Sequence, residues 1–366
     1  RSGRGATASG PDLPSVDGMR GRAAGGLAGL ALCVTLAACS GQPEPEAART
    51  HTPLTIAFAG DVHFAGVLAD RLDDPSTAMG PLTSVLAAAD IGILNLETAV
   101  TTRGAPQAKQ FTFRAPPVVF DALKVAGVDV VTMANNHALD YGPSSVPDAL
   151  AAAQTAGMPV VGLGADDQQA FTPWVTTVRG ERVAVLGATA VVDDSLVRTW
   201  SAGPGQPGVA TAIDGQNQRL VDAVRAARAA ADTVVVELHY GKDLTTCPTA
   251  VQRKLVDDLV AAGADIVVGQ HAHVLLGGGY LGAAYVHYGM GNFQFYASNG
   301  GTKTETGALV LNAAGRSVSG ASWHPGRIVD GLPTPLTGDT AAAATARWEG
   351  LRGCAGLTAA PTPQAG

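Results

Sequence analysis

In V-V-G-Q-H-A-H-V, residues 267–274, two histidines stand one residue apart at the end of an apolar run. Alternate side chains of an extended strand share a face, so His271 and His273 are expected to point the same way and converge on one object, as metal ligands do. Four other apolar runs end in comparable residues. A-G-D-V-H carries Asp61 and His63; L-N-L-E carries Asn95 and Glu97; A-N-N-H-A-L-D carries Asn135, Asn136, His137 and Asp140; E-L-H-Y-G carries Glu237 and His239. Singly, each has a bland explanation, such as a histidine satisfied by packing or an asparagine capping a turn. Jointly they form a nitrogen and oxygen donor set without thiolate, which suits Zn, Mn or Fe and is too large for one tetrahedral ion. Two divalent ions roughly 3.5–4 Å apart, bridged by a carboxylate, would use the whole set.

Such residues need a scaffold that brings strand ends together. From residue 54 the chain alternates short β-branched runs (T-I-A-F-A-G, I-G-I-L-N-L, V-D-V-V-T-M-A, T-V-V-V-E-L, D-I-V-V-G) with helical segments such as P-P-V-V-F-D-A-L-K-V-A-G and T-A-V-Q-R-K-L-V-D-D-L-V-A-A-G. That pattern predicts an α/β domain whose strands are covered on both faces and whose helices end on glycine. Open α/β sheets place their sites beyond the carboxyl ends of strands, where these polar residues lie. W-V-T-T-V-R-G-E-R-V-A-V-L-G-A-T reads as a hairpin about Gly180, and G-A-L-V-L-N-A-A-G-R-S-V-S-G-A-S-W as another about Gly315.

The chain has 366 residues, 46% hydrophobic, enough for an ample core, with only 15% charged and a net charge of −7. Without a basic surface, nucleic acid is excluded as a partner. Residues 19–38, with Arg20 and Arg22 before a short apolar stretch ending L-A-A-C, resemble a bacterial lipoprotein signal peptide that would leave Cys39 as the lipidated residue. The stretch falls short of the roughly 20 residues that span a membrane. Residues 1–18, before Met19, are expected to be an upstream non-native segment, and residues 39–53 a lipidated cysteine and flexible tether. The domain is expected over residues 54–330 and a tail over 331–366. An extracytoplasmic chain anchored to the outer face of the cell membrane would meet an oxidising compartment, in which Cys247 and Cys354 are available to pair.

The ordered series D-x-H, carboxylate, N-H, H, H-x-H resembles that of calcineurin-like metallophosphoesterases. The segments G-D-V-H-F-A-G, L-N-L-E-T, A-N-N-H-A-L-D-Y-G, V-V-E-L-H-Y-G, G-A-D-I-V-V-G-Q-H-A-H-V and Y-G-M-G-N-F are similar to the poly-γ-glutamate capsule biosynthesis family called CapA, over residues 54 to about 300. The resemblance implies a four-layer α/β/β/α sandwich. It implies one ion held by Asp61, His63 and His273, a second by Asn136, His239 and His271, and Glu97 between them. His137 would be the general acid and Asp140 the carboxylate that orients it. Two departures stand out: the bridge comes from N-L-E instead of G-D-x-x-D, and N-N-H replaces G-N-H, so that Asn135 would close the pocket or contact substrate.

Lys242, beside Asp243, is placed to meet an anionic group, and Asn292 of Y-G-M-G-N-F matches the family motif as a substrate contact. Asp193 and Asp194 are assigned to a solvated loop and His287 to packing, while His324 lies beyond the matched region. Three functions fit: a dinuclear-metal hydrolase serving a poly-γ-glutamate-type capsule or other anionic surface polymer, an extracytoplasmic metallophosphoesterase unrelated to capsule, and a non-catalytic polymer-binding protein with a structural metal site.

Overall fold

A computed structural model describes residues 50–213, 217–296 and 300–362. The expected upstream segment, signal peptide and Cys39 lie outside the described residues. No helix among the described residues is long and apolar enough to cross a membrane.

Two sheets carry the domain. The first runs, by residue, Leu332–Pro335, Ser317–Val329, Glu305–Ala314, Leu54–Val62, Ile91–Leu96, Val130–Thr132 and Val160–Val161, with Asn292–Gln294 added beside the end of Leu54–Val62. The second runs Gly278–Leu281, Ala284–His287, Ile266–His271, Thr233–Tyr240, Glu181–Thr189 and Trp174–Val178. The period-two alternation of each strand builds the layers. Ile56 and Phe58 pack with Val183, Val185 and Val235 between the sheets, whereas Ala57 and Ala59 face outward onto Phe120, Leu123 and Val146 of two helices, Val119–Val125 and Ser145–Ala156. On the other side Val234, Val236 and Leu238 meet Leu220, Val224, Leu255 and Leu259 of the helices Gln218–Ala230 and Ala250–Ala262. The result is the α/β/β/α sandwich.

Local chemistry sets the element ends. Thr249 and Gln252 form a reciprocal capping box that starts Ala250–Ala262, and Gly263 at φ 113° stops it. The hairpin about Gly180 turns through two residues of positive φ, Arg179 at 52° and Gly180 at 84°, which matches the twist of its strands.

The stretch after residue 330 is not a tail. Leu332–Pro335 is a strand of the first sheet, and Gly338–Gly350 is a helix whose Trp348 stacks on Trp323 at 5.0 Å and donates its indole N–H to His287 at 2.9 Å. The reason is apolar: Trp348 gives this helix a buried side chain that has to be covered. The end of the tether is also held, since Thr52 N–H donates to Glu181 and His51 pairs with the same carboxylate at 2.7 Å. Cys247 and Cys354 are disulfide-bonded with Cα atoms 5.6 Å apart, fixing the segment after Gly350 to the loop before Ala250.

Candidate metal centre

The strands deliver their polar ends to the space between the sheets, by two devices. On Thr233–Tyr240, Glu237 and His239 follow Val235 in alternation and therefore face the first sheet. On Leu54–Val62 strict alternation would turn Asp61 outward with Ala57 and Ala59. The register shifts between Phe58 and Asp61, Val62 takes the outward position, and Asp61 faces in.

His271 and His273 converge by a different route from the one expected. The strand stops at His271, and both histidines have left-handed backbone, φ 89° and 55°. Such conformations are uncommon for non-glycine residues and cost on the order of 1–3 kcal/mol each.

The donors meet around Glu97. Its carboxylate is fully buried, and neither oxygen has a hydrogen-bond partner. Oε1 lies 3.5 Å from His239 Nε2, 3.9 Å from His137 Nε2 and 4.0 Å from His273 Nε2. Glu97, His239 and His271 form one group whose donor atoms lie within 4.8 Å of one another, and Asp61, Glu97 and His273 form a second. Asn136 Oδ1 stands 2.8 Å from His239 Nε2, which puts it with the first group. Glu97 belongs to both.

The surroundings orient these rings. Asn292 Oδ1 meets His273 Nδ1 at 2.8 Å and Asp243 Oδ1 meets His271 Nε2 at 3.1 Å, so each ring turns its other nitrogen toward the cluster. Asn95 donates to Asp61 at 2.7 Å. Burial holds the Glu97 carboxyl well above its ordinary range, reinforced by the charge of Asp61, and burial also raises Asp61 against the pull of His273. Burial lowers His239 well below the usual imidazole range, with His271 and His273 adding to the effect, and lowers His273 and His137 despite Asp61 and Asp140. Neutral imidazoles and unpartnered buried carboxylates are what a site needs if a cation is to supply the missing positive charge. The residues fit divalent metal.

His137 borders this centre. Its Nδ1 meets Asp140 Oδ2 at 2.5 Å; Asp140 Oδ2 also takes the Phe113 N–H at 2.7 Å, and Oδ1 takes Lys109 Nζ at 2.6 Å. Phe113 lies between His137 and His63, with ring centroids 4.2 and 4.3 Å away.

Three expected residues sit elsewhere in the network. His63 joins none of the three donor groups among the described residues, the third being Asp243, His271 and His273. Its Nδ1 accepts the Ala65 N–H at 3.0 Å, leaving the proton on Nε2, and burial, with His137 and His273 nearby, pushes its pKa down to about 3. Asn135 is fully buried, donating to Asn95 and to the Leu96 carbonyl while its oxygen takes the His137 N–H. It braces the loop. Asn292 is likewise buried, bonded to His273 and to the Lys303 carbonyl. On the fourth loop Asp243 joins the cluster, while Lys242 is exposed. His287 is fully buried under Trp348.

Sequence reasoning missed Lys109 and Phe113. Both come from the irregular stretch between Val100 and Arg114, which has neither periodicity nor a strand end to mark it.

The chain is 34% identical over 220 residues to the capsule biosynthesis protein CapA of Bacillus anthracis, an alignment covering 59% of this chain and 52% of that protein. It is 28% identical over 312 residues to the PGA biosynthesis protein CapA of Bacillus subtilis, covering 82% and 79%. The chain thus spans about half the length of the first relative and most of the second. A crystal structure described as a novel phosphatase from Mycoplasma pneumoniae superposes with a TM-score of 0.46 at 12% identity, covering 78% of this chain and 95% of that one. The model of the bacterial capsule synthesis protein family PGA_cap matches residues 55–297, and the chain belongs to that family.

Proposed function

We propose that the chain is a dinuclear-metal hydrolase of phosphoester type that acts in synthesis or handling of a poly-γ-glutamate-type surface polymer. The observation that carries the hydrolase reading is Glu97: a buried carboxylate with both oxygens unpartnered, shared by two groups of ligand-type side chains. Asp61, Glu97 and His273 would hold one ion, and Glu97, Asn136, His239 and His271 the other. Two divalent cations, when bound, supply positive charge for the phosphoryl oxygens and for the attacking water.

The remaining work falls to side chains. A carboxylate only accepts, so Asp140 fixes the proton of His137 on Nδ1 and leaves Nε2 toward the centre. As the oxygen of the attacking water bonds to phosphorus, the P–O bond to the alcohol would break, its electron pair going to the leaving oxygen, which would take a proton that His137 Nε2 has gained from solvent. Phe113 excludes water from one face of the His137 ring.

The same reading takes the chain as extracytoplasmic and tethered through Cys39. The Cys247–Cys354 disulfide supports an oxidising compartment.

The test is hydrolysis of an alkyl phosphoester by the purified chain loaded with Mn or Zn. We expect turnover that His137→Ala reduces by about 10²–10⁴-fold while metal content stays the same. Metal stoichiometry of zero, or equal activity in the variant, refutes the reading. Polymer level in a strain lacking the chain tests the capsule assignment separately.

A further inference from the structure

Lys109 comes from a segment with no regular structure, yet its side chain is only 7% exposed. Its ammonium donates to Asp140 Oδ1 at 2.6 Å and to the backbone carbonyl of Asn136, lies 3.8 Å from Asp193 Oδ2, and sits 4.8 Å from the centroid of the Trp200 ring. The same segment closes around Asp140 from two further directions: Gln107 N–H donates to the Asp140 carbonyl at 2.8 Å, and Phe113 N–H to its Oδ2 at 2.7 Å. Burying an ammonium is costly unless it is fully bonded, and here the bonds go to the carboxylate that holds His137 Nδ1 and to the carbonyl just before that histidine.

We propose that Lys109 is a positioning residue for proton delivery, locking Asp140 and the Asn136–His137 peptide so that the His137 ring keeps its Nδ1 proton and its aim. This rests on the hydrolase reading above. With Lys109 and Phe113 both donating to Asp140, the carboxylate can only accept from His137, and its two oxygens are assigned to different partners. Removing the ammonium frees Oδ1 and leaves the carboxylate held through Oδ2 alone, by His137 and the Phe113 N–H, about which it can turn. The ions' ligands, other than the Asn136 loop, do not touch Lys109.

The test separates positioning from folding and from substrate contact. Lys109→Met keeps the length and apolar packing against Trp200, and Lys109→Gln keeps a neutral donor should the first variant fold poorly. Each would be assayed, metal-loaded, on an alkyl phosphoester, whose leaving oxygen needs a proton, and on 2,4-dinitrophenyl phosphate, whose leaving oxygen does not. We expect kcat on the alkyl ester to fall about 10–100-fold, with less than about threefold change on the activated ester and little change in KM. Equal losses on both esters, or a raised KM with kcat unchanged, overturns the proposal; the second result would make Lys109 a substrate contact.

A second readout needs no turnover. The His137 Nδ1–H resonance, assigned by its loss in His137→Gln, is expected far downfield in the wild-type protein and broadened by exchange with water in both Lys109 variants. If it persists unchanged in them, the proposal fails. If the wild type hydrolyses neither ester, the functional reading fails, and the resonance still decides the role of Lys109.

Discussion

The Glu97 carboxylate faces His239 Nε2 at 3.5 Å, and neither of its oxygens is satisfied by a hydrogen bond. Glu97→Gln, which keeps the shape and removes the charge, is expected to lower bound metal from two equivalents to one or none, measured by elemental analysis after dialysis. Retention of two equivalents would remove Glu97 from its shared position.

Asp243 orients His271 from the solvent side at 3.1 Å. Outer partners of ligating histidines typically contribute about 10–100-fold to affinity. Asp243→Ala is therefore expected to weaken metal binding by that factor, read by calorimetric titration, and to leave the stoichiometry intact. Lys242→Ala should leave both unchanged.

His287 links stability to pH. Burial holds it down to about 3 from its ordinary 6.5, and its Nε2 accepts the Trp348 N–H. Between these values the unfolded imidazole binds a proton that the folded one refuses, so stability rises with pH through the window and is lost as pH falls below about 6.5. The contribution is at most about 1.4 kcal/mol per pH unit. Denaturant titrations at pH 5 and 7 should show His287→Gln with a slope shallower by about one proton than the wild type, and equal slopes would refute it.

The disulfide closes a separation of 107 residues. Loops of this size are worth up to about 5 kcal/mol in the chain-entropy account, and natural bridges usually about 2–5. Replacing Cys247 and Cys354 by serine should lower Tm by several degrees. Reductant should lower the wild type to the same value and leave the double variant unmoved.

The left-handed backbone at His271 and His273 stores strain that ligand bonds can offset. Metal should raise Tm in a concentration-dependent way, by roughly 2.7 kcal/mol of stability at one hundred times Kd. Calorimetric scans with chelator and with Mn would measure it.

Much of this is legible in the amino-acid sequence. Apolar runs in Leu54–Val62, Ile91–Leu96, Thr233–Tyr240 and Ile266–His271 announce buried strands, and their polar ends announce the site, because period and burial are written in residue order. The geometry of H-x-H is not. Strand alternation explains a shared direction for His271 and His273, but the backbone has already left the strand there. Asp61 depends on a register shift whose one sign in the sequence is Gly60, where a Cβ would lie 2.0 Å from the Gly291 carbonyl oxygen. Asn135 and Asn292 read as substrate contacts in a motif, and in the fold their donors go to internal partners, since a motif records residue type and not which neighbours take up its donors. Lys109 acts through a long-range bond from an irregular loop, the kind of contact that only tertiary packing creates. The segment beyond residue 330 gives little sign of its packing in the sequence, because a single Trp348, rather than a periodic apolar face, secures it.

That tryptophan has a further consequence for how the molecule is completed. Trp348 touches Trp323 on one sheet and His287 on the other, so it clasps the two halves between which the ligand cluster lies. Every candidate ligand, from Asp61 to His273, is synthesised well before the clasp. The cluster is therefore complete as a list of residues before the helix that joins its two sheets is made.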